Sequence, residues 1–174
     1  MKKLLFMSAI CMSVFIVACK KSDNNKPTTT AKFTFDNTNY VTAKVEFAAS
    51  GGLAAFADSA VSTDKSKAVI VDLIFKGNSR PATGNYTLVS GANSPAAGQV
   101  VILLGYVDLK NTQNTGLYAS GDGGGTVVIT NTNGKLTASV PAATVAGNYF
   151  DNTDPSNTKI TNVSANLSAV TFSE

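Results

Sequence analysis

The chain has 174 residues, with 14 Lys and Arg against 11 Asp and Glu, no His, no Trp and two Cys. Charged residues are only 14% of it, and uncharged Thr, Asn and Ser fill 52 positions instead. Without His there is no Ser-His-Asp or Cys-His catalysis and no imidazole metal ligand, and a formal charge of +3 makes no basic field for nucleic acid.

Met1-Lys2-Lys3 is a short basic start. Residues 4–18 follow as an apolar run of about 15 residues, the size of a signal-peptide core and short of the roughly 20 that span a membrane. The run ends in Ile16-Val17-Ala18-Cys19, which resembles a bacterial lipobox. The resemblance implies residues 1–18 as a lipoprotein signal peptide, diacylglycerol on the Cys19 sulfur and acylation (palmitate among the chains) of the new amine. A thiol is needed because the thiolate is the nucleophile that accepts the lipid. Cys11 lies in the segment that leaves, so no pair of thiols remains for a disulfide. Residues 19–30 continue as a lipidated tether, KKSDNNKPTTT after the Cys, whose only apolar residue is Pro27. Such a segment cannot offset its ordering entropy and is expected to be disordered. Extended, it reaches about 35 Å.

Residues 31–174 have the size of a single domain. Their hydrophobic period is mostly two. Phe33-Thr34-Phe35 predicts a first strand, Asp36–Asn39 a turn, and Val41, Ala43, Val45 and Phe47 one face of a second strand. Leu53–Ser62 is Ala-rich but lacks a helical stripe, so it is expected to be a strand. Residues 69–75 and 100–107 are nearly continuous apolar runs, the pattern of central strands covered on both faces. Thr126–Thr130, the Asn131–Gly134 turn and Lys135–Val140 predict a hairpin. Val163, Ala165, Leu167 and Ala169 predict a last strand. The expected fold is all-β: an antiparallel β-sandwich of about nine or ten strands, with a lipocalin-like or partly open barrel as the alternative.

Gly84-Asn85-Tyr86-Thr87-Leu88, then Tyr118-Ala119-Ser120, then Gly125-Thr126-Val127-Val128-Ile129-Thr130 before the closing hairpin, occur in that order. Together they resemble uncharacterised all-β lipoproteins, domains of unknown function, of bacteroidete-type Gram-negative bacteria. The resemblance implies an outer-membrane lipoprotein, periplasmic or surface-facing, and no assigned chemistry. It also implies that Asp58-Ser59-Ala60 matches a short O-glycosylation pattern of those bacteria, although Ser59 in a strand is the commoner situation.

Few residues point to chemistry. Residues 121–125 (GDGGG) lack the Gly-Lys-Ser/Thr and the helix of a phosphate loop. Ser62-x-x-Lys65 and Ser156-x-x-Lys159 lack the partner motifs of serine acyl-enzymes. Asp151–Asn157 is oxygen-rich but does not follow the EF-hand series, so no metal site is expected. Glu46, Asp72 and Asp108 are the carboxylates expected within strands, and an Asp72–Asp108 pair is the route to a glycoside hydrolase. Tyr149-Phe150-Asp151-Asn152, read as a loop, is the best candidate for stacking and hydrogen bonding to a sugar. Tyr149, Phe150, Asp151 and Asp154 are therefore the candidate ligand-binding residues. The expected function is a non-catalytic, envelope-anchored binding or structural module for a glycan, peptide or envelope protein. A carrier of a small apolar ligand and a carboxylate-based hydrolase are the alternatives. No cofactor and no nucleic-acid partner is expected.

Overall fold

A computed structural model describes residues 31–121, 124–154 and 156–174. The expected signal peptide (1–18) with Cys11, the expected tether (19–30) with Cys19, and part of the 121–125 glycine run lie outside the described residues. Twelve strands follow in order: β1 (Lys32–Phe35), β2 (Thr38–Ser50), β3 (Leu53–Ser62), β4 (Lys67–Lys76), β5 (Gly84–Leu88), β6 (Gln99–Asp108), β7 (Asn114–Ser120), β8 (Thr126–Thr132), β9 (Lys135–Val140), β10 (Ala143–Asp151), β11 (Lys159–Leu167) and β12 (Val170–Ser173). The fold is all-β and mostly antiparallel, as expected. The count exceeds the expected nine or ten for two reasons. Residues 143–151 form a strand, and the predicted last strand stops at Leu167, after which Val170–Ser173 add a strand that the sequence pattern does not predict.

All twelve strands share one sheet, β12-β9-β8-β5-β6-β4-β3-β2-β1-β11-β10-β7, and β6 also pairs with β7. The second edge of β6 is divided. Gln99 and Val100 pair in parallel with Thr87 and Leu88 of β5, whereas Leu103 to Val107 pair antiparallel with Ala119 to Thr115 of β7. The ladder therefore closes on itself through β6, β4, β3, β2, β1, β11, β10 and β7. The remaining strands, β5, β8, β9 and β12, form a branch whose last strand lies against β2. The long strands β2, β3, β4 and β6 thus serve two halves, a closed ring at one end and the branch at the other.

Local chemistry sets these elements. Asp36 and Asn37 (φ 47° and 59°), and Asn133 and Gly134 (φ 53° and 82°), make two-residue turns with positive φ, which match the twist of a hairpin. Strand β2 departs from its predicted alternation. Tyr40 and Thr42 are buried, an irregularity between Thr42 and Lys44 inserts Ala43, and Val45 and Phe47 then face the core. A one-residue bulge reverses which parity faces inward. In β4 and β6 both faces are covered, as their continuous apolar runs predict. Val69, Val71, Leu73 and Phe75 meet Val100, Ile102 and Leu104 inside. On the other face Ile74, Val101 and Leu103 pack with Val89 and Ala119.

One core runs through both halves. In the ring Phe33 stacks on Tyr40 (centroids 5.6 Å apart) and Phe35 meets Tyr118 edge-on (5.1 Å). In the branch Phe56 meets Phe172 (5.2 Å) and Phe75 meets Tyr86 (5.0 Å). Phe56, Phe172, Ile129, Leu136 and Val127 are fully buried there. Burial of five such side chains stabilises by roughly 1.5–3 kcal/mol each.

Candidate functional site

The open end of the ring is a mouth lined by tyrosine. Tyr40 comes from β2, Tyr106 from β6, Tyr118 from β7 and Tyr149 from β10. With Phe35, Asp36, Thr38 and Lys67 they enclose a cavity of about 70 Å³. Register brings three of them close: Tyr106 and Tyr149 both lie opposite Gly116, and Tyr118, two residues along β7, lies opposite Gly147. Those glycines make room. A Cβ at Gly116 would stand 2.7 Å from the Tyr118 ring, and one at Gly147 would strike the Leu117 carbonyl.

The four phenols differ in exposure. Tyr40 and Tyr118 are buried, whereas Tyr106 and Tyr149 are half-buried, with their rings 6.3 Å apart. Burial, then neighbouring Asp108 and the other tyrosines, holds the Tyr106 hydroxyl up at about 12. Burial likewise raises Tyr40, Tyr118 and Tyr149, with Asp36 adding to the first two and Asp151 and Asp108 to the last. All four hydroxyls therefore remain protonated at neutral pH and able to donate a hydrogen bond. Lys67 Nζ sits 5.9 Å from the Tyr106 ring centroid and donates to Thr38 Oγ1 at 3.4 Å. The mouth thus combines ring faces, hydroxyls, a carboxylate at Asp36 and an ammonium. That set suits a neutral polyhydroxylated group, which offers apolar faces and hydroxyls together.

The candidate residues from the sequence are not gathered into one place. Tyr149 lines the mouth. Tyr149, Phe150 and Asp151 belong to β10 and not to a loop, because β10 is paired with β7 on one side and β11 on the other. Strand alternation turns Phe150 to the opposite face, where it lies across from Ile160. Asp151 and Asp154 line a separate surface cleft with Thr153, Asn157 and Lys159. Both carboxylates are committed to their own loop: Asp151 accepts from Thr153, and Asp154 from the Ser156 amide (3.0 Å) and hydroxyl (2.6 Å). The Thr153 bonds hold Asp151 below the usual carboxylate range. No group of three metal-ligating side chains occurs among the described residues.

The Ser-x-x-Lys motifs are turns. Ser62 Oγ donates to Asp64 (2.6 Å) and accepts from the Ser66 and Lys67 amides, and Ser156 is spent on Asp154. Asp72 and Asp108 do not form a pair. Asp108 lies opposite Lys67 and Asp72 opposite Leu103, so they are five residues apart along the ladder, roughly 17 Å.

The sequence reading missed Asp58. It stands within β3, is fully buried, and accepts a hydrogen bond from Thr42 Oγ1 at 3.0 Å on Oδ2, while Oδ1 has no partner among the described residues. Burial pushes its pKa up to about 7, against the pull of Thr42. The inward alternation Ala54, Phe56, Asp58, Ala60 was the available signal. Ser59 beside it is half-buried in the same strand, with β2 and β4 on either side. No family model, curated protein or solved structure matches this chain.

Proposed function

We propose that this chain is an envelope lipoprotein, held to the outer membrane by acyl chains on Cys19, whose β-domain is a non-catalytic glycan-binding module. In this reading it belongs with the uncharacterised all-β lipoproteins that its motifs resemble. The observation that carries the binding role is the convergence of Tyr40, Tyr106, Tyr118 and Tyr149 on one small cavity with Asp36 and Lys67. Half-exposed phenol rings offer stacking faces to a sugar, and the hydroxyls, carboxylate and ammonium offer both donors and acceptors. Behind the rim Phe33 stacks on Tyr40 and Phe35 meets Tyr118, which supports a binding face at the rim over a carrier with an internal chamber.

Two measurements test it. The intact chain in detergent is titrated with soluble oligosaccharides of neutral, acidic and amino sugars, with a fatty acid and an extended peptide as the other arms. An oligosaccharide at 100 times its Kd adds about 2.7 kcal/mol of stability, and Tyr149→Ala removes that shift. A shift with the fatty acid or the peptide alone, or one that Tyr149→Ala leaves intact, overturns the reading. Cys19→Ala separately abolishes incorporation of labelled palmitate and releases the chain from membranes. Retention of label by that variant sinks the anchor.

A further inference from the structure

We propose that the free edge of β11 is where two copies of this chain pair, antiparallel, about a two-fold axis at Asn162. Strand β11 is held by β10 along its whole length, from Lys159 opposite Asp151 to Leu167 opposite Ala143. On its other side β1 pairs only at Phe35 with Leu167. That seam shows which backbone groups point outward. Asp36 N donates to Asn166 O at 3.1 Å, and Ser168 N donates to Thr34 O at 2.9 Å. In an antiparallel ladder successive residues direct their N–H and C=O to alternate sides. The even residues of β11 therefore face the β1 side, and beyond the point where β1 turns away these are Ser164, Asn162 and Ile160. All three are exposed. Among the described residues no strand takes up this stretch of edge.

An unpaired edge is normally blunted by a proline, a bulge or charge. Residues 160–165 (ITNVSA) carry no Pro and no charge, and the β10–β11 register runs without a shift. A two-fold axis at Asn162 places Ile160 opposite the partner subunit's Ser164 and Asn162 opposite its own copy. Every outward N–H and C=O then meets a complementary group. The charges agree as well. In this register Lys159 reaches the level of the partner subunit's Ala165, beside the partner subunit's Asp36, the turn residue after β1 that donates to Asn166. Lys159 and Asp36 are both exposed, so the two-fold makes two such opposite-charge contacts. The free lane is bounded at one end by Asp36. An incoming β11 pairs from Ile160 to Ser164, and Lys159 leaves the lane where Asp36 closes it. The same patch used on both copies closes the assembly at two.

The intact chain tests this directly. The Cα atoms of a hydrogen-bonded antiparallel pair lie about 5.5 Å apart, within reach of a disulfide. Oxidation of N162C in membranes should give a disulfide dimer at least ten-fold above both the unsubstituted chain and T130C, which places a thiol on an exposed position of β8 in the other half. Asn162→Pro removes an N–H that β10 does not use, so the melting curve should persist while sedimentation in detergent falls from dimer to monomer. Lys159→Glu should weaken the dimer ten-fold or more, and adding Asp36→Lys should restore it. A monomeric unsubstituted chain, equal cross-linking of N162C and T130C, or a dimer indifferent to both Asn162→Pro and Lys159→Glu overturns the proposal. Asn162 and Lys159 lie outside the tyrosine mouth, so glycan binding by N162C, Asn162→Pro and Lys159→Glu can fail or succeed independently of pairing; Asp36→Lys alters the mouth and is read by sedimentation alone.

Discussion

The two halves of the molecule solve the problem of an interior differently. The branch half is sealed by Phe56, Phe172, Ile129 and Leu136, all fully buried. Its seam is fastened by Arg80, which makes a two-pronged ion pair with Glu174 and lies over the Phe47 ring at 4.6 Å. Glu174 also accepts from the Leu136 amide. Burial acts against ionisation of that carboxyl, but the Arg80 and Leu136 bonds prevail and hold its pKa down. The ring half has hydrogen-bond closure all round, yet its open end is tyrosine, with Tyr106 and Tyr149 only half-buried. Closure by backbone relieves the side chains at the mouth of sealing the interior, which is what the proposed binding role needs, whereas the branch must close by packing. Substitutions should therefore divide: branch residues cost stability, and mouth residues cost binding.

The largest effect is expected in the branch. Phe56→Ala removes a fully buried ring that meets Phe172, and should lower unfolding stability by about 3–5 kcal/mol in chemical denaturation. The mouth should keep its ligand at temperatures where the variant stays folded. A loss under about 1 kcal/mol would mean that the branch contributes little to a common core.

Next in size is Asp58, in mid-β3 where the halves meet. Its pKa is about 7 in the fold against 3.8 ordinarily. The folded protein therefore holds this proton more tightly than the unfolded chain does. The Asp58 contribution is undiminished below pH 4, falls as pH rises from about 4 to about 7, and is flat above. The difference across that window is on the order of 4 kcal/mol. Asp58→Asn should be more stable than the parent at pH 8 by about 2–4 kcal/mol and nearly equal to it at pH 4. Parallel pH–stability curves for the two proteins would refute the assignment. Arg80→Ala follows, at roughly 1–2 kcal/mol, because the pair is partly exposed and water screens it. Its effect should shrink in 1 M salt, apart from the lost packing on Phe47.

The same contrast explains what could be read from the sequence. The branch hairpin β8–β9 was legible because Asn133-Gly134 dictates its turn and Leu136, Ala138 and Val140 keep strict alternation. The runs in β4 and β6 were legible because continuous apolarity has few other uses. In the ring, local signals were weaker. Ala43 is an ordinary residue in an alternating run, and nothing near it announces a bulge that turns Val41 away from the core and Tyr40 into it. Strand β10 was hidden because Gly147 and Asn148 interrupt its pattern. The glycine is there to let the backbone of β7 approach, a requirement set by a partner some 30 residues away. The mouth was only partly visible. Tyr149 stood out by its Asp and Asn neighbours, but its grouping with Tyr40, Tyr106 and Tyr118 depends on ring closure. No short motif encodes that closure.

The smallest stability change should accompany the largest functional one. Tyr149 is half-buried and its ring lies 6.3 Å from Tyr106, so Tyr149→Ala forfeits an aromatic pair of roughly 0.5–1.5 kcal/mol and little else. Tyr149→Phe keeps the ring and drops only the hydroxyl, which should leave the melting temperature within a degree or two of the parent. If the mouth takes a sugar by stacking, Phe retains most of the affinity and Ala loses ten-fold or more. If it takes the ligand through phenol hydrogen bonds, both variants lose affinity alike. Parallel calorimetric titrations of the two variants distinguish these cases. A result in which Tyr149→Ala binds as well as the parent would move the binding face away from the ring and leave the tyrosines as packing.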